Sequence, residues 1–200
     1  NAAEAGEALT VSGMTEPGSS VVVELGGASV TAVVSSNGSW TATFPAGSVA
    51  GGTYTTTMTA TATDAAGNVD TASTSVTVDT DAGVLTIDPA PVEGDDVVNE
   101  AEASDGVVLT GTADPGAVVT VTMEGVSHNV VANGSGNWEA FFSANDVAAG
   151  VYTAEITATT TDAYGNSRSA TDSVEVDTRV DNLSVNVDDV ATDNIISASE

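Results

Sequence analysis

Apolar and polar side chains alternate along most of this chain. Val119, Val121 and Met123 alternate with Thr120, Thr122 and Glu124. Tyr152, Ala154, Ile156 and Ala158 alternate with Thr153, Glu155, Thr157 and Thr159, and Val174 and Val176 flank Glu175. A period of two sends successive side chains to opposite faces of a strand. Each run therefore has one apolar face and one face of hydroxyls and carboxylates, which describes a sheet packed on one side and wet on the other, as in antiparallel sandwiches. Thr and Val abound, turn residues recur roughly every ten residues, and no segment carries a convincing helical period. The chain reads as all-β.

The pattern also repeats. Trp40 recurs as Trp138, Tyr54 as Tyr152, Asp64 as Asp162 and Asp79-Thr80 as Asp177-Thr178, an ungapped offset of 98 residues. Glu4, Glu102 and Glu200 mark one point three times. So long a period, spanning whole sets of strands, means tandem domains and not a solenoid of small units. Each is long enough to bury its own core. Tandem copies suit mechanical or multivalent work, whereas an active site needs only one copy.

Seven strands are predicted in the complete copy, at about 83–88, 106–113, 118–125, 127–132, 137–142, 151–161 and 168–177. Asp114-Pro115-Gly116, Asn133 to Asn137 and Asp162 to Asn166 supply turns between them. Trp138, Ala140 and Phe142 should face the core. Tyr152 stands where immunoglobulin-like sandwiches carry a tyrosine corner. The first-strand equivalent for the first copy would precede Asn1. The expected organisation is a first domain over 1–80 lacking its first strand, a complete domain over 81–178, and the opening strand and acidic loop of a third repeat over 179–200. Another register makes 81–98 a linker and starts each domain near Asn1 or Asn99. Leu183, Val185 and Val187 match Leu85, Ile87 and Pro89, and a strand at 183–187 left unpaired offers an edge to another chain.

Composition narrows the partners. Twenty-nine acidic residues against two arginines and no lysine give a net charge of −27. A phosphate backbone needs Lys and Arg, so nucleic acid and direct membrane contact are excluded as partners. A hydrophobic content of 41% with strong periodicity argues for a folded chain despite the acidity. There is no cysteine, hence no disulfide or thiol chemistry. No apolar run is long enough to cross a bilayer, no signal peptide is visible, and the chain starts mid-pattern, as a piece of something longer would.

The acids cluster. The loop after the first strand carries Glu93, Asp95, Asp96, Glu100, Glu102 and Asp105, and the last strand ends in Asp177 with Asp181 beyond it. Strand directions place these at one pole and Asp114, Asp162 and Asn166 at the other. End-to-end stacking then brings carboxylates from three segments to each junction. Two carboxylates about 4 Å apart repel by roughly 4 kcal/mol at an effective dielectric near 20, and a divalent cation reverses the sign. Ca²⁺ takes about six to eight oxygen ligands in irregular geometry, Mg²⁺ needs tighter octahedra, and zinc prefers nitrogen or sulfur. The alternative is that the acidic turns are solvated surface.

The stretches Thr-Ala-Thr-Asp64-Ala-Ala-Gly-Asn68, Ser-Val-Thr-Val-Asp79-Thr80, Leu-Thr-Ile-Asp88-Pro and Gly-Asp95-Asp96-Val-Val-Asn-Glu-Ala-Glu102 resemble the bacterial immunoglobulin-like repeats of giant RTX-type and biofilm-associated surface adhesins. The resemblance covers both copies. It implies tandem immunoglobulin-like antiparallel sandwiches, Ca²⁺ at domain junctions, location outside the bacterial cell or on its surface, and a stalk that projects a distal binding region for cell adhesion or biofilm formation. It offers Asp64, Asp79, Asp81, Asp95, Asp96, Asp162, Asp177, Asp181 and Asp193 as calcium candidates, to which Glu4 and Glu102 are added from the repeat. Arg179 replaces the acid of Asp81 and Asn194 one member of the acidic pair, so junctions should differ in affinity.

The partners implied are neighbouring repeats of the same chain, with self-association through Ca²⁺ or the unpaired strand as an extension. A module that binds a glycan or a host protein is the alternative function, and Tyr164 is its one tempting exposed ring. No enzyme is read: His128 stands alone on a strand and is Val30 in the other copy. Paired carboxylates at poles do not make a glycosidase cleft.

Overall fold

The alternating runs fold as strands and build two β-sandwiches. The computed structural model describes residues 1–181 and 183–185. In the first sandwich, β1 (Leu9–Met14), β4 (Val33–Val34) and β5 (Ser39–Phe44) form one sheet in the order β1-β5-β4. The facing sheet, β3-β2-β6-β7, contains β2 (Ser20–Leu25), β3 (Ala28–Thr31), β6 (Thr53–Thr63) and β7 (Val69–Asp79).

The second sandwich contains β8 (Leu85–Ile87), β9 (Val97–Asn99), β10 (Val107–Ala113), β11 (Val118–Met123), β12 (Val126–Val131), β13 (Asn137–Phe142), β14 (Val151–Thr161) and β15 (Ser167–Asp177). Its sheets run β13-β10-β8 and β12-β11-β14-β15-β9. Among the described residues the pairings are antiparallel except that of β9 with β15, which is parallel. Trp138, Ala140 and Phe142 face the core as predicted, none more than 2% exposed. They pack with Leu109, Val121, Met123 and Ile156. Both tyrosine corners form: the Tyr152 hydroxyl donates to the Ala148 carbonyl at 2.8 Å and that of Tyr54 to the Ala50 carbonyl at 2.9 Å.

One sequence expectation needs correction. Helices are present: α1 (Ala2–Gly6) and α2 (Glu100–Asp105), with a single 3-10 turn at Val92–Gly94. Five or six residues are too few to display a helical period. Their signal is the capping box instead. The Asn99 side chain accepts from the Ala101 and Glu102 N–H groups while the Glu102 carboxylate accepts from the Asn99 N–H, and Asn1 and Glu4 repeat the motif. The loop after β8 therefore holds more structure than its acidity suggests.

β8 has only three residues, yet it closes the second core. It pairs with β10 through Gly111↔Ile87, Thr112↔Thr86 and Ala113↔Leu85, and Leu85 is buried. A side chain at Gly111 would collide with the Thr86 carbonyl and the Trp138 indole, so only glycine lets strand and ring approach so closely. Among the described residues of the first sandwich, no strand takes the corresponding place beside β1 and none lies outside β7 as β9 lies outside β15. Trp40 is accordingly half-buried, and Met14 and Val69 are 70% and 62% exposed. A groove of about 370 Å³ runs between the two sheets there, lined by Trp40, Val21, Ala60 and Ala62 among others.

Candidate functional site

The last strand of the first sandwich delivers Asp79 to the turns of the second. Asn166, on the turn before β15, is buried, and its amide spans the boundary between the two. Its Nδ2 donates to the Asp79 carbonyl at 3.2 Å, and its Oδ1 accepts from the Ala2 N–H at 2.7 Å. Asp79, Asp81, Asp114 and Asp162 line one cavity of about 350 Å³ at this junction, with Gly83 and Tyr164. Four carboxylates thus line one cavity. Glu4 lies nearby, lining a smaller cavity with Asp79 and Thr80.

Each carboxylate has local partners. Asp162 Oδ1 accepts from the Tyr164 and Asn166 N–H groups at 2.8 and 2.9 Å, while Oδ2 accepts from Asn166 Nδ2 at 2.7 Å. Asp64 does the same with Ala66 and Asn68 in the first sandwich. Gly165, at φ +87°, takes the left-handed step that this turn needs. Asp79 Oδ1 accepts from the Thr53 hydroxyl at 3.1 Å and the Asp81 N–H at 3.2 Å. Asp81 Oδ1 accepts from the Gly83 N–H at 3.1 Å and pairs with Arg168 at 3.4 Å.

The remaining predicted ligands lie elsewhere. Asp177 ends β15 beside Asn99, the start of the α2 capping box, so Glu102 and Asp177 repeat at the far pole the placement of Glu4 and Asp79. Asp95 caps the Val97 N–H at 3.1 Å and Asp96 the Val92 N–H at 2.8 Å, within the loop before β9. Asp181 is exposed beyond β15. Asp193 lies outside the described residues, as do Asn194 and positions 186–187 of the expected strand. Among the described residues, no three His, Cys, Asp or Glu side chains stand close enough to hold one metal ion as they are placed. By chemistry the junction donors fit Ca²⁺, being carboxylate, amide and carbonyl oxygens with no nitrogen or sulfur ligand.

Residues that the sequence reading left out of the site carry much of it. Asn166 and Asp114 are not among the expected ligands yet stand at this junction, and so does Arg168. Its signal is scarcity, since it is one of two basic side chains in the chain. Tyr164 is 61% exposed and lines the junction cavity together with Asp81, Ala82 and Gly83. His128 sits edge-on to Phe142 at 4.8 Å and 3.4 Å from Asp146, a core-flanking position.

The Asx turns have a pH signature. The Asn166 side-chain amide is the main cause that holds the Asp162 carboxyl below its ordinary value of 3.8; loss of hydration opposes it, and the N–H groups of Asn166, Tyr164 and Gly165 add to the lowering. Asn68 acts on Asp64 in the same way. A depressed folded-state pKa stabilises fully above 3.8, and that contribution is lost as pH falls through the lower folded value. Wild type should therefore melt above Asp162→Ala by a constant margin from about pH 5 to 7. The margin should shrink below about pH 4. A margin unchanged down to about pH 2 would remove the carboxylate from the turn's energetics.

Comparison with known proteins gives the family context. A family model described as bacterial Ig-like domain matches residues 7–80. The chain is similar to a structure from a 1.5-MDa bacterial ice-binding adhesin studied for its retention on the host cell surface, at 29% identity over 89% of this chain and 60% of that one, with a TM-score of 0.51. It is also similar to a Ca²⁺-stabilized adhesin that helps an Antarctic bacterium reach out and bind ice, at 29% identity over 88% of this chain and 45% of that one, TM-score 0.51. A third likeness is to a bacterial immunoglobulin-like domain from the M. primoryensis ice-binding adhesin, at 30% identity over 48% of this chain and 98% of that one, TM-score 0.36. The chain thus spans 60% and 45% of the length of the first two. Among curated proteins, none matches it.

Proposed function

Because the chain belongs to the bacterial Ig-like domain family, we propose that it is a calcium-rigidified extender of a bacterial surface adhesin. We read residues 1–80 and 81–178 as two repeats and 179–200 as the opening of a third. The carrying observation is the junction, where one buried amide ties two sandwiches together and four carboxylates line the adjoining cavity. The similarity to a Ca²⁺-stabilized adhesin supports the same ion here.

Asp79, Asp81, Asp114 and Asp162 would hold the cation, with the Asp79 carbonyl and Asn166 amide as neutral oxygens. Asp81 and Asp114 are exposed, and to reach the ion they would give up their contacts with Arg168 and the Val84 N–H. When bound, Ca²⁺ neutralises the mutual repulsion of these groups and makes the junction stiff; without it they push the sandwiches apart. Strands of 11 residues rise roughly 3.3 Å per residue, so each repeat adds about 36 Å to a stalk. A ligand that binds only the folded state also stabilises it, by about 2.7 kcal/mol at a hundredfold excess over Kd. Extracellular calcium thus favours folding where the stalk works.

Thermal unfolding and small-angle scattering in EDTA, then in millimolar Ca²⁺ with Mg²⁺ as control, test this reading. The expected result is a rise in Tm of roughly 10 °C or more and a longer, stiffer particle with Ca²⁺. Asp79→Ala should abolish most of both changes. A response to Ca²⁺ no larger than that to Mg²⁺ would mean the acids are solvated surface.

A further inference from the structure

The outer face of the sheet β13-β10-β8 carries an aromatic ring that a plain spacer does not need. Phe141 is 53% exposed, and its partner across the ladder, Val108, is 41% exposed. The ring is seated in place. A side chain at Gly106, where φ is +91°, would collide with Phe141 Cζ and Cε2, so glycine lets the ring lie against the backbone. One repeat back, the same two positions hold Ala8 and Thr43. Glycine and ring change together between the two copies, which marks the ring's seat as built and not incidental.

A polar cleft lies beside it. Two residues along the strands from Phe141 and Val108, on the same face, stand Glu139 and Thr110. Asp88 extends that row, its N–H donating to the Thr110 carbonyl at 2.8 Å. Asn137 and Thr112 form the next row. Asp88, Thr110, Asn137 and Glu139 line a cavity of about 860 Å³ that reaches Trp138. Small-molecule sites span about 300–1,000 Å³. Two residues of strand rise roughly 7 Å, so adjacent units of one ligand reach both the ring and the carboxylates. In the other copy Glu139 and Asn137 are Thr41 and Ser39, so neither the ring nor this acid recurs.

We propose that this face binds a neutral oligosaccharide, with one sugar ring stacked on Phe141 and the next donating its hydroxyls to Glu139 and Asp88. A sugar is apolar on the C–H face of its ring and hydroxylated around the rim. The site matches it, being apolar at Phe141 and Val108 and rich in acceptors beside them. An anionic ligand is repelled by both carboxylates and by the net charge of −27. A metal ion has too few acids here, since among the described residues no three stand together. A protein partner covers about 800 Å² of surface, far more apolar area than one ring and one valine supply. The proposal does not rest on the calcium reading, because none of these residues lines the junction cavity.

The test is an NMR titration of the full 200-residue chain with cellopentaose and with maltopentaose, and with oligogalacturonate as the anionic control, in EDTA and again in Ca²⁺. At least one neutral sugar should bind with a Kd of roughly 1 mM and shift amides of β8, β10 and β13, equally in both buffers. Phe141→Ala should weaken binding roughly 5- to 10-fold, and Phe141→Trp should keep or tighten it. Glu139→Gln should cost roughly 3- to 10-fold. Both positions are exposed, so the variants stay folded. Silence with both neutral sugars, shifts away from these strands, or affinity indifferent to Phe141→Ala would each overturn the proposal. So would oligogalacturonate binding as well as the neutral sugars. Sugar binding without a response to Ca²⁺ would leave this site standing and the calcium reading fallen, and the reverse result would do the opposite.

Discussion

Truncating Phe142 to alanine should destabilise the second sandwich by about 3–5 kcal/mol. Phe142 is fully buried, faces Val107 across the β10–β13 ladder and takes the edge of His128 at 4.8 Å. Its ring sits between two sheets whose separation is fixed by many other side chains, so the space it leaves cannot collapse. At about 4–8 °C per kcal/mol for a domain of this size, the transition of that sandwich should fall by roughly 12–40 °C. The first sandwich has its own separate core around Phe44, Leu25 and Val23, and its transition should not move. Circular dichroism melts resolve the two. A loss below about 1 kcal/mol would mean that the core repacks around the missing ring.

The second large effect is expected from Leu85→Asp. A carboxylate in the place of a 6% exposed Leu would need to be buried unpaired, which costs more than the docking of β8 contributes. The strand should therefore leave the sheet instead of dragging the charge inside. The loss is then limited to the burial of Leu85 and Ile87 and a three-residue ladder, about 2–4 kcal/mol. Trp138, whose indole lies against the backbone of β8, should become wetter as Trp40 already is. In a Trp40→Phe background its emission should shift to the red while the second sandwich stays folded. An unshifted spectrum would show that β8 is not what covers this ring.

The strands were legible because alternation is a local property: Val119 to Glu124 and Tyr152 to Thr159 fold in the phase their side chains dictate. The core ring at Phe142 and the corner at Tyr152 followed from where those strands begin. The short helices were not legible as periods, and Asn99 and Glu102 reveal α2 only through reciprocal capping. β9 is harder still, because Val97–Asn99 has no alternation long enough to read and its partner β15 is remote in sequence. For the junction, sequence offers only the expectation of acids at both poles. It did not show that Asn166 would reach across to Asp79 and Ala2, since that depends on how two sandwiches meet. Nor does a list of acids show that Asp95 and Asp96 serve their own loop, which needs the hydrogen bonds to Val97 and Val92.

The parallel pairing of β9 with β15 decides how a stretched second sandwich yields. A pull on the linker at 80–84 first draws on Leu85, and the antiparallel β8 peels from β10 one residue at a time. The load then passes to β9, while β15 is drawn the opposite way from Asp177. Because these strands run parallel, Val97, Val98 and Asn99 are dragged lengthwise past Glu175, Val176 and Asp177, and their bonds are strained together in shear. Shear across several bonds resists far more force than peeling them singly.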